Sequence, residues 1–305
     1  MPNERLIFRG LDQIPRGKAS EDLIHGCLVL EGGAFRGLYT QGILDAMMLE
    51  DLNLDCVIGV SAGALSGVSY VSGQIGRSAR VNLTYRHDQR YVGAAAFYKA
   101  HSLLDIGFLT EDRGVLEPTD MDRFNRKEQR FIVVATSVST GQAVYFEKGQ
   151  FPDMMKAVRA SATMPYISPM VKSGDDYYID GGCACHVPFQ WAIDQGYEKI
   201  IVIRTRDAAY RKKTGRVKAM SGIYRRYPEF EETLAVTNEK YNTECDTLQE
   251  LDRQGRLLQI APPSPITVRR VEPNMEKLGA LYFEGLFQGK AMADRMREYL
   301  GVRSC

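Results

Sequence analysis

What this chain has little of narrows its reading first. No apolar run approaches the roughly 20 residues that span a bilayer, which excludes a helical membrane protein. The segment holding Glu4, Arg5, Arg9, Asp12 and Arg16 lacks the long apolar stretch of a secretory signal. The expected location is therefore cytoplasmic, with visits to a membrane surface open to it. Charge of one sign is also missing: 39 Lys and Arg stand against 38 Asp and Glu, a formal net charge of +1. No general attraction to nucleic acid or anionic membrane follows, so such a contact would need a local patch, and no nucleic-acid partner is expected. Cys183-Ala184-Cys185-His186 has no second cluster at zinc spacing, so no metal is expected. Cys27 and Cys56 lie in apolar runs and read as buried thiols. A Ser/Gly linker and an internal repeat are both absent.

What is there alternates between strand and helix. Residues 1–25 form a polar lead-in. Cys27–Leu30 and Asp55–Val60 read as buried strands, each followed by a glycine-bearing turn and a helical pattern, from Leu38 and from Ala62. Phe131–Thr136 is a strand that turns at Thr140-Gly141 into Ala143–Phe146. Met154–Ser161 and Pro188–Gln195 read as helices, and Lys199–Ile203 as a further buried strand. This is the grammar of a parallel sheet wrapped by helices, an α/β fold. Residues 26–205 are expected to form the core. Residues 206–305 are expected to extend the same domain, mainly as helices: Glu229–Gln254, then one long helix over Asn274–Leu300 after a short strand at 257–260.

Three motifs carry chemistry. Gly59-Val60-Ser61-Ala62-Gly63 sits between strand and helix, as a nucleophile elbow requires, and predicts a strained backbone at Ser61. A serine capping an ordinary helix is the plainer reading. Gly32-Gly33-Ala34-Phe35-Arg36-Gly37 can be a dinucleotide loop, but no acidic residue closes the second strand as that fingerprint expects. It can equally be an oxyanion hole, whose backbone N–H groups are worth ~3 kcal/mol each in the transition state. Arg36 is expected to pin this loop by pairing with an acidic group. Asp180-Gly181-Gly182 reads as a turn or as a carboxylate base delivered on a loop. None of the three motifs contains histidine. Of His25, His87, His101 and His186, the last is tempting for a triad, but it reads as a histidine at a helix start or on the surface.

In this order the motifs resemble the patatin-like phospholipase family of bacterial type, with a fourth block at Ala160-Ser161-Ala162-Thr163-Met164-Pro165. The resemblance covers about residues 26–205. It implies a three-layer α/β fold with a mainly parallel central sheet, and hydrolysis of lipid acyl esters, phospholipid or lysophospholipid, through an acyl-serine, without metal or cofactor. By it, Ser61 is the nucleophile and Asp180 its partner in a dyad. The N–H groups of Gly32, Gly33 and Ala34 form the oxyanion hole. Arg36, Gly37, Gly59, Gly63, Gly181 and Gly182 support the motifs. Ala34 replaces the family's third glycine, a substitution that strains the loop by roughly 1–2 kcal/mol if φ is positive there.

Two other classes compete: a dinucleotide-binding protein using Gly32–Gly37, and a non-catalytic lipid-binding protein on the same fold. On the substrate side, residues 91–109 read as ordinary packing, with the lining of an acyl-chain site as the alternative. The basic residues Arg204, Arg206, Arg211, Lys212, Lys213, Arg216, Lys218, Arg225 and Arg226 read as a solvated loop face, with phospholipid head groups as the alternative partner.

Overall fold

The computed structural model describes residues 6–92, 106–110, 115, 117–218 and 220–302. Its strands are β1 (Gly17–Lys18), β2 (Ile24–Leu30), β3 (Leu54–Val60), β4 (Gln74–Ile75), β5 (Arg130–Ser137), β6 (Ala143–Glu147), β7 (Val171–Ser173), β8 (Asp176–Asp180), β9 (Ile200–Ile203) and β10 (Leu258–Ile260). Its helices are α1 (Gly37–Leu49), α2 (Ala62–Val71), α3 (Arg77–Tyr85), α4 (Ile106–Thr110), α5 (Met121–Phe124), α6 (Met154–Ser161), α7 (Phe189–Asp194), α8 (Pro228–Arg253), α9 (Met275–Ala291) and α10 (Ala293–Leu300).

Eight strands form one sheet in the order β10-β9-β2-β3-β5-β8-β7, with β6 also on β5. The run β10-β9-β2-β3-β5 is parallel, whereas β6, β7 and β8 join antiparallel. The central strands read as unbroken apolar runs because both their faces are covered. Along β2, Leu28 and Leu30 enter one core, while Cys27 and Val29 enter the other. The first core is roofed by α1, α2, α6, α9 and α10, and the second by α7 and α8. Cys27 and Cys56 are fully buried free thiols.

One detail of register places the site. β3 and β8 share a single edge of β5 and run toward each other. Val60, the last residue of β3, pairs with Val134, and Asp180, the last residue of β8, pairs with Ala135. The opposite edge of β5 is occupied by β6. The chain leaving β3 and the chain leaving β8 are thereby brought together at neighbouring positions of one strand.

The long helix expected over Asn274–Leu300 is two helices, broken at Met292. The first, α9, lies along α1, where a side chain on Gly42 or Gly285 would strike the partner helix's backbone. The chain then turns, so that Met296 and Leu300 of α10 also reach the first core. Among the described residues, no helix is long and apolar enough to cross a membrane.

Candidate active site

Ser61 sits at the sharp turn between β3 and α2, with φ 54° and ψ −118°. This is the strained conformation expected of the elbow, and few L-residues adopt it. Gly63 makes the turn possible: a side chain there would collide with the carbonyl of Leu30 on the neighbouring strand. Gly59 faces the first turn of α2 in the same way. The Ser61 N–H donates to Ser161 Oγ at 2.8 Å, and that hydroxyl donates to the carbonyl of Val134 at 2.5 Å. Ser161 thus ties the strained turn to β5. Its Ala-Ser block is visible in the sequence, but the task of the serine is not.

The Ser61 hydroxyl donates to Asp180 Oδ2 at 3.0 Å, across 119 positions of chain. The other carboxylate oxygen accepts the N–H of Gly182 at 2.8 Å, within the turn formed by Gly181–Cys183. The backbone of Asp180 is held at both ends, its N–H on the carbonyl of Thr163 at 2.9 Å and its carbonyl on Thr136 Oγ1 at 2.8 Å. Burial raises the Asp180 carboxyl to about 6; the Gly182 N–H, the Ser61 hydroxyl and the charges of Arg270 and Lys212 oppose that rise. A carboxylate so placed is a better match to a serine proton than one in water.

The Gly32–Gly37 loop lies against Ser61. A side chain on Gly32 would come within 3.1 Å of Ser61 Cβ, and one on Gly37 within 3.0 Å of Ala62 Cβ. Among the described residues, the N–H groups of Gly32, Gly33 and Ala34 donate to no protein acceptor. Ala34 has φ 50°, so the methyl that replaces the third glycine does carry left-handed strain, worth roughly 1–2 kcal/mol.

Thr205, the second residue after β9, donates its hydroxyl to the carbonyl of Gly32 at 2.7 Å. In a planar trans peptide the N–H points opposite to the C=O, so this bond sets the direction of the Gly33 N–H. Thr205 is itself held by Glu31, which accepts its N–H at 2.6 Å, Arg204 Nε at 3.2 Å and the Tyr241 hydroxyl at 3.0 Å. Motif reading could not find Thr205, which has no signature of its own. Thr205→Val is expected to lower kcat for an ester about 10-fold or more with little change in KM, and Thr205→Ser is expected to restore it; steady-state kinetics of the two variants check this.

The acidic partner expected for Arg36 is absent among the described residues: its guanidinium is buried and its Nε has no hydrogen-bond partner. The reason is that Glu31, whose charge reaches it, is already occupied by Arg204, Thr205 and Tyr241. Burial, with the charges of Arg206 and Arg270, holds Arg36 below the ordinary guanidinium range. The basic stretch is not a single solvated face either. Arg204 is wholly buried against Glu31, and Lys212 turns inward, its Nζ 2.7 Å from His186 Nε2. Burial pushes Lys212 down to about 8.

No histidine meets Ser61 or Asp180 among the described residues. His186 is buried rather than on the surface, held between Lys212, Thr237 and Glu244. His25 pairs with Asp55 at 2.8 Å and His87 with the carbonyl of Pro273 at 2.8 Å. His101 lies outside the described residues.

An open cavity of about 460 Å³ meets Ser61 and is lined mainly by apolar side chains, among them Phe35, Leu65, Tyr91, Ile106 and Met164. Tyr91 and Ile106 belong to the stretch expected to be ordinary packing. Phe108 of that stretch does pack, against Tyr85 and Tyr91 with ring centroids 5.2 and 6.0 Å away, while residues 93–105 lie outside the described residues. A second cavity of about 430 Å³ shares Gln41, Leu65 and Asn82 with the first.

The model of the family described as patatin-like phospholipase matches residues 28–193, and a domain of unknown function (DUF6363) matches residues 227–301. The uncharacterized protein YjjU of Escherichia coli (strain K12) is 30% identical over 184 residues, covering 58% of this chain and 51% of YjjU. The chain therefore spans about half the length of that relative. The probable lipid hydrolase 463L of Invertebrate iridescent virus 6 is 26% identical over 211 residues, covering 61% of this chain and 71% of the viral protein. The crystal structure of VipD from Legionella pneumophila superposes with a TM-score of 0.52 at 14% identity, covering 97% of this chain and 72% of VipD, a likeness of fold.

Proposed function

The chain belongs to the patatin-like phospholipase family, and from that premise we propose that it is a serine acyl hydrolase that cleaves phospholipid or lysophospholipid esters with a Ser61–Asp180 dyad. The observation that carries this reading is the 3.0 Å hydrogen bond from the Ser61 hydroxyl to Asp180, at the floor of an apolar cavity. Asp180 takes the hydroxyl proton as Ser61 Oγ attacks the ester carbonyl. The N–H groups of Gly32, Gly33 and Ala34 receive the developing alkoxide. The leaving alcohol departs with the proton that Asp180 returns, and the acyl group stays on Ser61. Water then attacks the acyl-serine, with Asp180 again as base, and releases the fatty acid.

The apolar cavity and its neighbour suit an acyl chain. A phosphate-bearing lipid is favoured over a neutral one, because the cations around the Gly32–Gly37 loop exceed their partners. Arg36 Nε and Arg206 Nε are buried without a hydrogen-bond partner among the described residues. The Arg270 backbone carbonyl accepts the Phe35 N–H at 3.3 Å, which sets the Arg270 segment on the oxyanion loop. Glu31, the carboxylate whose charge reaches Arg36, is occupied elsewhere.

The test is release of free fatty acid from phosphatidylglycerol and from triacylglycerol in mixed micelles, followed against pH. Phospholipid is the expected substrate. The base works only when ionised, so kcat/KM is expected to be level above about 6 and to fall ten-fold per pH unit below it. Lipid binding without fatty-acid release would instead identify a non-catalytic lipid-binding protein.

A further inference from the structure

The densest run of one charge sign lies beyond the dyad. Residues 211–226 hold seven Lys or Arg and no Asp or Glu. Three of the seven are spoken for: Arg211 pairs with Asp246 at 2.7 Å, Arg216 with Glu232 at 2.5 Å, and Lys212 faces His186. Lys213, Lys218, Arg225 and Arg226 are exposed and make no ion pair among the described residues. Interleaved with them, the same segment turns large apolar side chains into water. Met220 is 78% exposed, Ile223 60% and Val217 39%.

This exposure does not come from a loose segment. The Val217 N–H donates to the carbonyl of Ala235 on α8 at 2.8 Å, and Asn242 clamps both backbone groups of Lys212. Tyr224 is 1% exposed and packs edge-on to Phe230 and Tyr166, with ring centroids 4.9 and 5.0 Å away. Its cluster includes Ile179 and Cys183, which flank Asp180 in sequence. The Tyr224 hydroxyl accepts the N–H of Tyr166 at 3.2 Å, and Met164, two residues before Tyr166, lines the catalytic cavity. A pinned, basic and apolar loop is therefore tied, through Tyr224 and Tyr166, to the segment whose Met164 lines the cavity at Ser61. Apolar tips ringed by unpaired cations complement a surface that is anionic outside and apolar beneath.

We propose that residues 217–218 and 220–226 dock the chain on an anionic phospholipid surface, with Met220 and Ile223 entering the acyl boundary and Lys218, Arg225 and Arg226 meeting the lipid phosphates. The docking would deliver lipid to the adjacent cavity, and in that purpose the proposal rests on the acyl-hydrolase reading.

The test uses the full chain carrying Ser61→Ala, so that the vesicles survive, in flotation with equimolar phosphatidylcholine and phosphatidylglycerol or with phosphatidylcholine alone. Strong binding to the anionic vesicles and weak binding to the neutral ones are expected. Met220→Asp with Ile223→Asp is expected to weaken partition at least ~10-fold. Lys218→Ala with Arg225→Ala and Arg226→Ala is expected to weaken it about 100-fold on anionic vesicles, roughly five-fold per cation. With Ser61 intact, both multiple variants are expected to keep wild-type turnover of a soluble p-nitrophenyl ester, which shows that they fold. Absence of flotation, or flotation unchanged in both variants, overturns the proposal. So does lipid-free self-association in sedimentation velocity that Met220→Asp with Ile223→Asp abolishes while vesicle binding persists. Vesicle binding that follows this pattern in a chain without ester turnover would sink the hydrolase reading and leave the docking surface standing.

Discussion

Ser61→Ala is expected to lower kcat/KM for a p-nitrophenyl ester by about 10⁵-fold, to the limit of detection. The estimate follows serine hydrolases in general, where loss of the nucleophile costs on the order of 10⁶ in kcat and a residual rate comes from the oxyanion hole and binding. The cause here is the geometry around one oxygen. Ser61 Oγ is the hydroxyl bonded to the Asp180 carboxylate, and it opens on the apolar cavity. Alanine keeps the positive φ and leaves the Ser61 N–H free to donate to Ser161, so the turn should survive and the melting temperature should barely move. A fluorophosphonate probe should label the wild-type chain on the peptide holding Ser61 and leave the variant unlabelled. Substantial turnover in the variant, or a label mapped to another residue, rejects the assignment.

Asp180→Asn is expected to cost about 10³–10⁴ in kcat with a much smaller effect on KM, the upper part of the roughly 10²–10⁴-fold by which a positioned base accelerates proton transfer. An amide cannot take the serine proton. Its oxygen can still accept the Gly182 N–H, so the turn after β8 keeps its cap. The acid limb near 6 should vanish with the carboxylate that causes it. Stability should shift as well. The folded carboxyl is raised from about 3.9 to about 6, so the unfolded chain releases this proton first and the wild type loses stability as pH rises between those values. Above about 6 that penalty is fully present, and the asparagine variant should melt no lower than the wild type at pH 8. A variant that retained most of its activity, or that kept the limb, would remove Asp180 from the reaction.

Much of this site is legible in the sequence because its local geometry is written in small residues. Gly59 and Gly63 predicted a sharp strand-to-helix turn, and the φ of Ser61 is the strained value that such a turn imposes. The one alanine in the Gly32–Gly37 loop predicted strain conditional on positive φ, and φ is positive there. The misreadings share a different cause. Arg36 was expected to find an acidic partner, but Glu31 had already been taken by residues from β9 and α8. Arg204 and Lys212 looked like parts of a surface run, yet both point inward. Thr205 and Ser161 orient the Gly32–Gly33 peptide and the Ser61 turn through hydrogen bonds to backbone, and such bonds leave no motif behind.

Taken alone, the amino-acid order determined the alternation of strands and helices and the chemistry carried at each turn, because apolar periodicity and backbone permissiveness act over a few neighbouring residues. Which charge neutralises which, and which distant groups meet, was decided by the packed chain. Ser61 touches Asp180 because β3 and β8 end at adjacent positions on one edge of β5. That meeting depends on strand direction and register, which arise from the fold as a whole.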